Sequence, residues 1–217
     1  MEIISLDSVN STQKYLIDAI SSNKLTAPVG VISRVQTDGI GSRDNSWIGS
    51  SDDLFCSFAL NINDLPLDLP LASASIYFSF IMKEILKEYN KDIWLKWPND
   101  FYVGDNKVGG TITKKLSNYL ICGIGINLSN SNRDFKSLDI DIKASELFQR
   151  YTKELKKKIA WKQVFREFKI EFNSNRDFYA HILGKKISLK NALLCDDGSL
   201  IINKKRIYSL RWVILYV

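Results

Sequence analysis

Between residues 94 and 127 three short polar blocks alternate with β-rich runs, and this spacing constrains the fold more than any other feature of the chain. The blocks are Lys96-Trp97-Pro98-Asn99-Asp100, Lys107-Val108-Gly109-Gly110 and Gly123-Ile124-Gly125-Ile126-Asn127. Residues 93–95, 101–103, 108–112 and 119–124 are rich in strand formers, and Gly104-Asp105-Asn106 is a turn signal. Short runs with tight turns between them predict neighbouring strands whose ends bring the three blocks together. One carboxylate, two lysines and several glycines would then share one location. Glycine lets the backbone approach closely, lysine supplies positive charge and aspartate can hold a magnesium ion, so the combination suits an anionic, phosphate-bearing ligand.

The rest of the chain supplies a scaffold for those strands. Ser11 or Thr12 can cap a helix running to about residue 22, with Tyr15, Leu16 and Ala19 inward. Residues 29–35 form a β-branched run that delivers Gln36 and a glycine-containing loop to a strand end, with 54–62 as its sheet neighbour. Residues 71–89 place Ile76, Phe80, Ile81 and Ile85 at helical spacing, with Lys83, Lys87 and Glu88 expected to face water. The Ser/Asn-rich stretch 129–143 reads as a mobile loop. Helices are expected at 145–158 and 160–173, and in the second Trp161, Phe165, Phe168 and Phe172 make an aromatic stripe suited to core packing. Beyond Gly184, short strands at 186–189, 200–203 and 207–216 with the turn Asp196-Asp197-Gly198 read as a small β-barrel. The expected fold class is α+β: a mixed β-sheet packed by helices over residues 1–183, and a small barrel over 184–217.

Composition excludes several classes. A chain of 217 residues can bury one sizeable core with room for a small second module. No apolar stretch approaches the roughly 18 residues of a membrane span, and the first residues lack the basic start of a secretory signal, so the setting read from sequence is cytoplasmic, without a membrane. Cys56, Cys122 and Cys195 are odd in number and far apart, and His181 is the only histidine, which argues against a disulfide framework or a zinc site. Cys122, in an apolar strand, reads as a buried small hydrophobe. The net charge of +6 is segmental: residues 1–149 carry 14 Lys+Arg against 18 Asp+Glu, and residues 150–217 carry 16 against 6. The basic third is either a solvated helix face, as around Lys156, Lys157 and Lys158, or a surface for an acidic partner.

In this order and at this spacing the three blocks resemble the catalytic core of biotin protein ligases, which biotinylate a carrier protein. Asp7-Ser8-Val9-Asn10-Ser11-Thr12-Gln13 is similar to the segment that opens that family's catalytic domain, where a Ser-Thr-Asn triplet lines the biotin pocket; here Gln13 stands in the asparagine's place. The stretch from Gln36 to Trp47 is similar to the family's biotin-binding loop. It keeps the glutamine, Gly39, Gly41 and the tryptophan, whereas Ile40, Ser42, Asp44 and Asn45 replace residues that are usually Arg, Arg, Gly and Arg. With Arg43 alone, the loop would hold the adenylated intermediate less tightly or in another way.

The resemblance implies a class II aminoacyl-tRNA synthetase/biotin ligase-like catalytic domain with an SH3-like C-terminal barrel, and ATP, biotin and Mg²⁺ as reactants and cofactor. It makes Lys107 the central catalytic residue, reaching the biotin carboxylate and the α-phosphate, and Asp100 the metal ligand and proton acceptor, although Asp100 also reads as a turn or cap aspartate. Ser11, Thr12, Gln13, Gln36, Gly39, Gly41, Ser42, Lys107, Gly110, Gly123 and Gly125 would bind biotin. Arg43, Trp47, Lys96, Asn99 and Asn127 would bind ATP and the adenylate. Lys96 could orient Asp100 by a salt bridge, and Trp47 either packs over the adenylate or is an ordinary core tryptophan. The implied partner is an acidic biotin carboxyl carrier protein, the acetyl-CoA carboxylase subunit, and not nucleic acid. Only ten residues precede Ser11, too few for the DNA-binding domain of family members that double as repressors. A ligase without repressor activity, as a monomer or homodimer, is the expectation. Its rivals are a lipoate-type ligase, a basic nucleic-acid-binding module and an inactive relative kept as a binding protein.

Overall fold

Runs of β-branched residues become strands, and runs with helical periodicity become helices, in the computed structural model, which describes residues 1–41, 46–129, 136–182 and 184–209 and the backbone of a last strand at 214–216. In chain order the elements are β1 (Glu2–Val9), α1 (Thr12–Ser21), β2 (Val29–Gln36), β3 (Gly39–Ile40), β4 (Ser46–Trp47), β5 (Leu54–Asn61), α2 (Ala74–Leu86), β6 (Ile93–Lys96), β7 (Asp100–Val103), β8 (Asn106–Leu116) and β9 (Tyr119–Ile126). They continue with α3 (Ala144–Leu155), α4 (Trp161–Glu171), β10 (Tyr179–Ile182), β11 (Lys185–Ser188), β12 (Leu193–Leu194), β13 (Leu200–Ile202), β14 (Lys205–Ile207) and β15 (Ile214–Tyr216).

Seven strands lie side by side in the order β1, β2, β5, β9, β8, β7, β6. β1 and β2 are parallel, because α1 carries the chain back between them, and every other neighbouring pair is antiparallel. This is the expected mixed sheet. Ser11 caps α1, its hydroxyl accepting from the Lys14 N–H, and Leu16 and Ile20 pack on Val29, Val31, Ala59 and Ile121 of one sheet face. Tyr15, expected inward, is half-buried.

The other face carries the larger core. There α2, α3 and α4 cover Ile32, Cys56, Phe58, Cys122 and Ile124. The Phe58 ring meets Phe78 and Tyr151 edge-on at 5.1 and 5.6 Å, each contact adding about 0.5–1.5 kcal/mol beyond burial. The aromatic stripe of α4 is core: Trp161, Phe165, Phe168 and Phe172 are all buried. One expectation fails here. Lys83 does not face water but is 1% exposed and paired with Glu171 at 2.5 Å and Glu84 at 2.6 Å. The reason is that α2 is sandwiched between sheet and helices, with 12 of its 13 residues buried, so it has almost no solvent face to offer a lysine.

After α4 the strands are short. β10 and β11 form a hairpin whose turn contains Gly184, and β12 to β15 form a four-stranded antiparallel sheet. Among the described residues these are two open sheets, not the closed SH3-like barrel expected from the sequence. β12 to β15 pair in sequence order with no described pairing between β15 and β12, so the four-stranded ladder keeps two open edges. The turn before β13 docks on the main body through three successive carbonyls, accepting from Trp161 Nε1 at Asp196, Ser73 Oγ at Asp197 and Trp97 Nε1 at Gly198. Gly198 has φ +79°, and a β-carbon there would come within 2.5 Å of Ser73 Oγ. Among the described residues no helix is long and apolar enough to cross a membrane.

Candidate active site

At one end of a cleft is a chain of neutral hydrogen bonds. Parallel pairing of β1 and β2 continues beyond their ends through Thr37 N–H to Val9 O and Asp38 N–H to Asn10 O, which brings the start of α1 against Gln36. Gln36 Oε1 accepts from the Thr12 N–H at 2.8 Å and from its hydroxyl at 3.1 Å. Because a hydroxyl has one proton, the 2.8 Å contact between Thr12 Oγ1 and Ser57 Oγ is then donated by Ser57. Thr12, Gln13 and Ser57 are all buried. Gln13 reaches the cleft floor, its Cδ 3.5 Å from where a β-carbon on Gly123 would lie.

At the other end are the charges. Lys96 pairs across the strands with Asp100, and Asp100 with Gly110. A β-bulge interrupts β7 and β8 between Phe101 and Tyr102, so that Lys107 opposes Tyr102 rather than Val103. A shift of one residue exchanges the faces of a strand, and this one turns Lys107 onto the side that bears Asp100. Lys107 Nζ lies 2.7 Å from Asp100 Oδ1, and Lys96 Nζ lies 3.9 Å from Oδ2 while donating to the Tyr102 hydroxyl at 3.1 Å. Burial, reinforced by the Asp100 carboxylate against an opposing effect of Lys107, pushes the Tyr102 phenol up from its ordinary pKa, so it stays a neutral hydrogen-bonding group.

Trp47 connects the two ends. Held by pairing with Gly39, it lies over Gly125, where a β-carbon would stand 2.5 Å from its Nε1, and Lys107 Nζ is 5.8 Å from its ring centre. This places it in the cleft wall and not in the core. Its Nε1 is buried and has no partner among the described residues. The cleft is narrow in the free protein, with a cavity volume of about 30 Å³, and it opens to solvent.

Of the residues expected at the site, Ser11, Thr12, Gln13, Gln36, Gly41, Trp47, Asn99, Asp100, Lys107, Gly110, Gly123 and Gly125 line this cleft. Lys96 joins it through Asp100. Ser42 and Arg43 fall outside the described residues. Gly39 serves its hairpin, since a β-carbon there would stand 2.4 Å from Trp47 O. Asn99 Nδ2 donates to the Thr111 carbonyl, which fixes the orientation of its carboxamide. Asn127 is buried beside the strands, with Nδ2 donating to Lys136 O at 3.1 Å and Oδ1 without a partner among the described residues. Sequence reasoning missed Ser57, Ile40, Cys56, Thr111, Ile112 and Ile124 in the lining. Ser57 left one trace, as a polar residue inside the apolar run 54–60. Cys56 and Cys122 are fully buried, and burial raises both thiols well above their ordinary pKa, which removes them as nucleophiles.

Residues 5–131, more than half of the chain, match the pattern that defines the Biotin/lipoate A/B protein ligase family. The chain belongs to that family. The match to this ligase family covers α1, the glycine loop and all three blocks. Biotin–protein ligase 2 of Arabidopsis thaliana is 32% identical over 126 residues, 52% of this chain and 37% of that protein. The bifunctional ligase/repressor BirA of Escherichia coli is 27% identical over 128 residues, 56% of this chain and 39% of that protein. The aligned segment thus spans well under half the length of these curated relatives. A crystal structure of the biotin acetyl-coenzyme A carboxylase synthetase of Helicobacter pylori, with bound biotinylated ATP, superposes with a TM-score of 0.91. It is 37% identical and covers 95% of this chain and 99% of that one.

Proposed function

We propose that the chain is an ATP-dependent biotin protein ligase, which activates biotin as biotinyl-5′-AMP and transfers it to a lysine of a biotin carboxyl carrier protein, a subunit of acetyl-CoA carboxylase. One observation carries this reading: a single cleft has a neutral hydrogen-bonding end at Thr12, Gln36 and Ser57 and a charged end where Lys107 and Lys96 meet Asp100. The neutral end suits an uncharged ureido ring, which can use the donor and acceptor capacity that Thr12, Gln36 and Ser57 keep after bonding to one another. The charged end suits a carboxylate brought against a triphosphate. The 37% identical synthetase with bound biotinylated ATP supports biotin and ATP as the ligands of this cleft.

In the first step a biotin carboxylate oxygen attacks the α-phosphorus, the bond to the β-phosphate oxygen breaks, and pyrophosphate leaves. Lys107 lies where it can screen repulsion between the two anions and stabilise charge growing on the phosphoryl oxygens, and Lys96 reinforces it. Trp47, in the cleft wall, packs against the bound acid or its adenylate. In the second step the carrier's lysine amine attacks the acyl carbon and AMP leaves with the bonding electrons; Asp100 is the group placed to take the amine proton.

Magnesium fits this site only if nucleotide and water supply most of its ligands. Among the described residues no three carboxylate, histidine or cysteine side chains gather. Nucleotide-bound Mg²⁺ commonly needs just one or two protein carboxylates, and Asp100, in the cleft lining, is an acceptor of the right kind. The ion would neutralise phosphate charge. In this reading the chemistry falls to residues 1–183, and the strands from 184 onward brace Trp97 through Gly198. The basic residues from 150 onward are the surface for an acidic carrier.

The experiment is exchange of labelled pyrophosphate into ATP with biotin, lipoate or octanoate as the acid, followed by transfer to a carrier domain. Biotin-dependent exchange and a biotinylated carrier are expected. Exchange driven by lipoate would move the chain to the lipoate branch of its family, and no exchange with any acid would end the enzymatic reading.

A further inference from the structure

Strand β6 is outermost in the sheet and pairs only with β7. Its outward backbone groups still have partners, and these are side chains from the end of α4 and the turn after it. The Leu95 N–H donates to Glu171 Oε1 at 2.5 Å. Asn175 Nδ2 donates to the Leu95 carbonyl at 3.0 Å, and the Trp97 N–H donates to Asn175 Oδ1 at 2.6 Å. One carboxamide therefore bonds the carbonyl of residue 95 and the N–H of residue 97, the pair that a residue of a parallel strand would bond. Lys96 is the residue enclosed between those two bonds. Asn175 is 0% exposed, and both ends of its amide are spent on this one backbone segment.

We propose that Asn175 is a positioning residue for adenylation: it replaces an absent neighbouring strand, fixes the backbone on both sides of Lys96, and so aims the Lys96 ammonium at Asp100. This rests on reading the cleft as an adenylating site. The geometry that depends on the clamp is close. Lys96 Nζ is 3.9 Å from Asp100 Oδ2, whose other oxygen is 2.7 Å from Lys107 Nζ. A lysine carries its charge at the end of four rotatable carbons, so a small rotation at its Cα displaces the ammonium by far more than the backbone moves. Tyr102 secures the far end of the same side chain at 3.1 Å. Lys96 is thus held at both ends, by Asn175 through the backbone and by Tyr102 at the charge. Glu171 extends the clamp by one residue and is tied to Lys83 at 2.5 Å.

The test is a double-mutant cycle in biotin-dependent pyrophosphate exchange by the full chain, using Asn175→Ala, Lys96→Ala and the pair, each rate divided by the measured folded fraction. Acting through Lys96, Asn175→Ala lowers turnover by about 10²-fold. The KM for biotin stays nearly unchanged, because the ring end of the cleft lies at Thr12 and Gln36. The double variant is then no slower than Lys96→Ala alone. Losses that multiply in the double variant, or a lower melting temperature with unchanged turnover per folded molecule, would overturn the proposal. If Asn175→Ala does not fold, Asn175→Asp enters the same cycle under the same criteria, since it keeps the acceptor for Trp97 and loses the donor for Leu95. An unmutated chain without exchange would overturn the reading of the cleft and the proposal with it, whereas exchange with multiplying losses overturns the proposal alone.

Discussion

Replacing Lys107 by alanine separates what its ammonium does for folding from what it does for the reaction. In the free protein the group lies 2.7 Å from Asp100 Oδ1, with the lysine side chain 38% exposed. A pair this open to water contributes about 0–1 kcal/mol, so the melting temperature should fall by no more than roughly 5 °C. In the reaction the same charge faces phosphoryl oxygens. At about 4 Å and an effective dielectric near 20, two unit charges interact by about 4 kcal/mol. Part of that already acts on the bound ground state, where carboxylate and triphosphate are both anions, and only the part that grows toward the transition state accelerates the step. The net loss should lie near 10²–10³-fold in rate, the range found when one preorganised donor is removed from a developing anion. Biotin-dependent pyrophosphate exchange measures that rate, and thermal melting of the same sample measures the fold. Lys107→Arg should recover part of the loss, because the charge returns with a wider, planar head. A Lys107→Ala rate within about threefold of the parent would show that another group carries the phosphoryl charge. A large rate loss matched by a collapse in melting temperature would make the lysine structural, and the reasoning from the cleft would fail.

Gly125→Ala puts a β-carbon 2.5 Å from Trp47 Nε1, so the ring must shift, and a displacement costing about 1.4 kcal/mol or more should weaken biotin binding at least tenfold by calorimetry. Gly110→Ala meets nothing closer than 3.4 Å and should fold normally; equal biotin affinity in both variants would remove Trp47 from the cleft wall. Lys83→Ala removes the buried cation that faces Glu171, which is 13% exposed and keeps the Leu95 N–H as a partner, and should cost about 1–3 kcal/mol in urea denaturation, much of it recovered in the Lys83→Met, Glu171→Gln pair; a loss below about 0.5 kcal/mol would mean that water replaces the lysine. Burial works against the Asp197 carboxylate, but hydrogen bonds from Ser199 and the Arg206 guanidinium outweigh it and hold its pKa below the ordinary range. Its stabilising contribution is therefore complete above about pH 4 and is lost as pH falls through the lowered folded value, so Asp197→Asn should lower the melting temperature at pH 7 and flatten the loss of stability below pH 4. Parallel acid profiles for parent and variant would show that the carboxylate is not the group being titrated.

What could be read from the sequence was what repeats locally. Gly104 with its neighbours marked the turn between β7 and β8, and the blocks at 96–100, 107–110 and 123–127 fell at strand ends because strand and turn signals span only a few residues. Those signals located Asp100 and Lys107, whereas the resemblance to the ligase family singled out Thr12 and Gln36, and the structure brings all four to one cleft. The hydrogen bonds that join Thr12 to Ser57, 45 residues away, have no local signature, since a serine in an apolar strand looks the same whether it faces a ligand or the core. Lys83 was placed in water because periodicity shows which residues share a face and not how many faces are covered. Lys107 is on the cleft side only because Val108 is an extra residue in the ladder, and a bulge is a matter of pairing between two strands that neither encodes alone.

Asn175 is the extreme case. It lies 78 residues beyond the Trp97 N–H it satisfies, in a turn with no periodic pattern of its own, and nothing in its neighbours distinguishes it from Asn173. The signal lies instead in the strand it serves. An outermost strand that carries a functional lysine has N–H and carbonyl groups that must be bonded if they are buried. When no further strand exists to pair them, an Asn side chain is the shortest group that both donates and accepts with the spacing of a backbone amide. Accounting for the open edge of β6 therefore leads to Asn175 from physical necessity, by a route that reading forward along the chain does not provide.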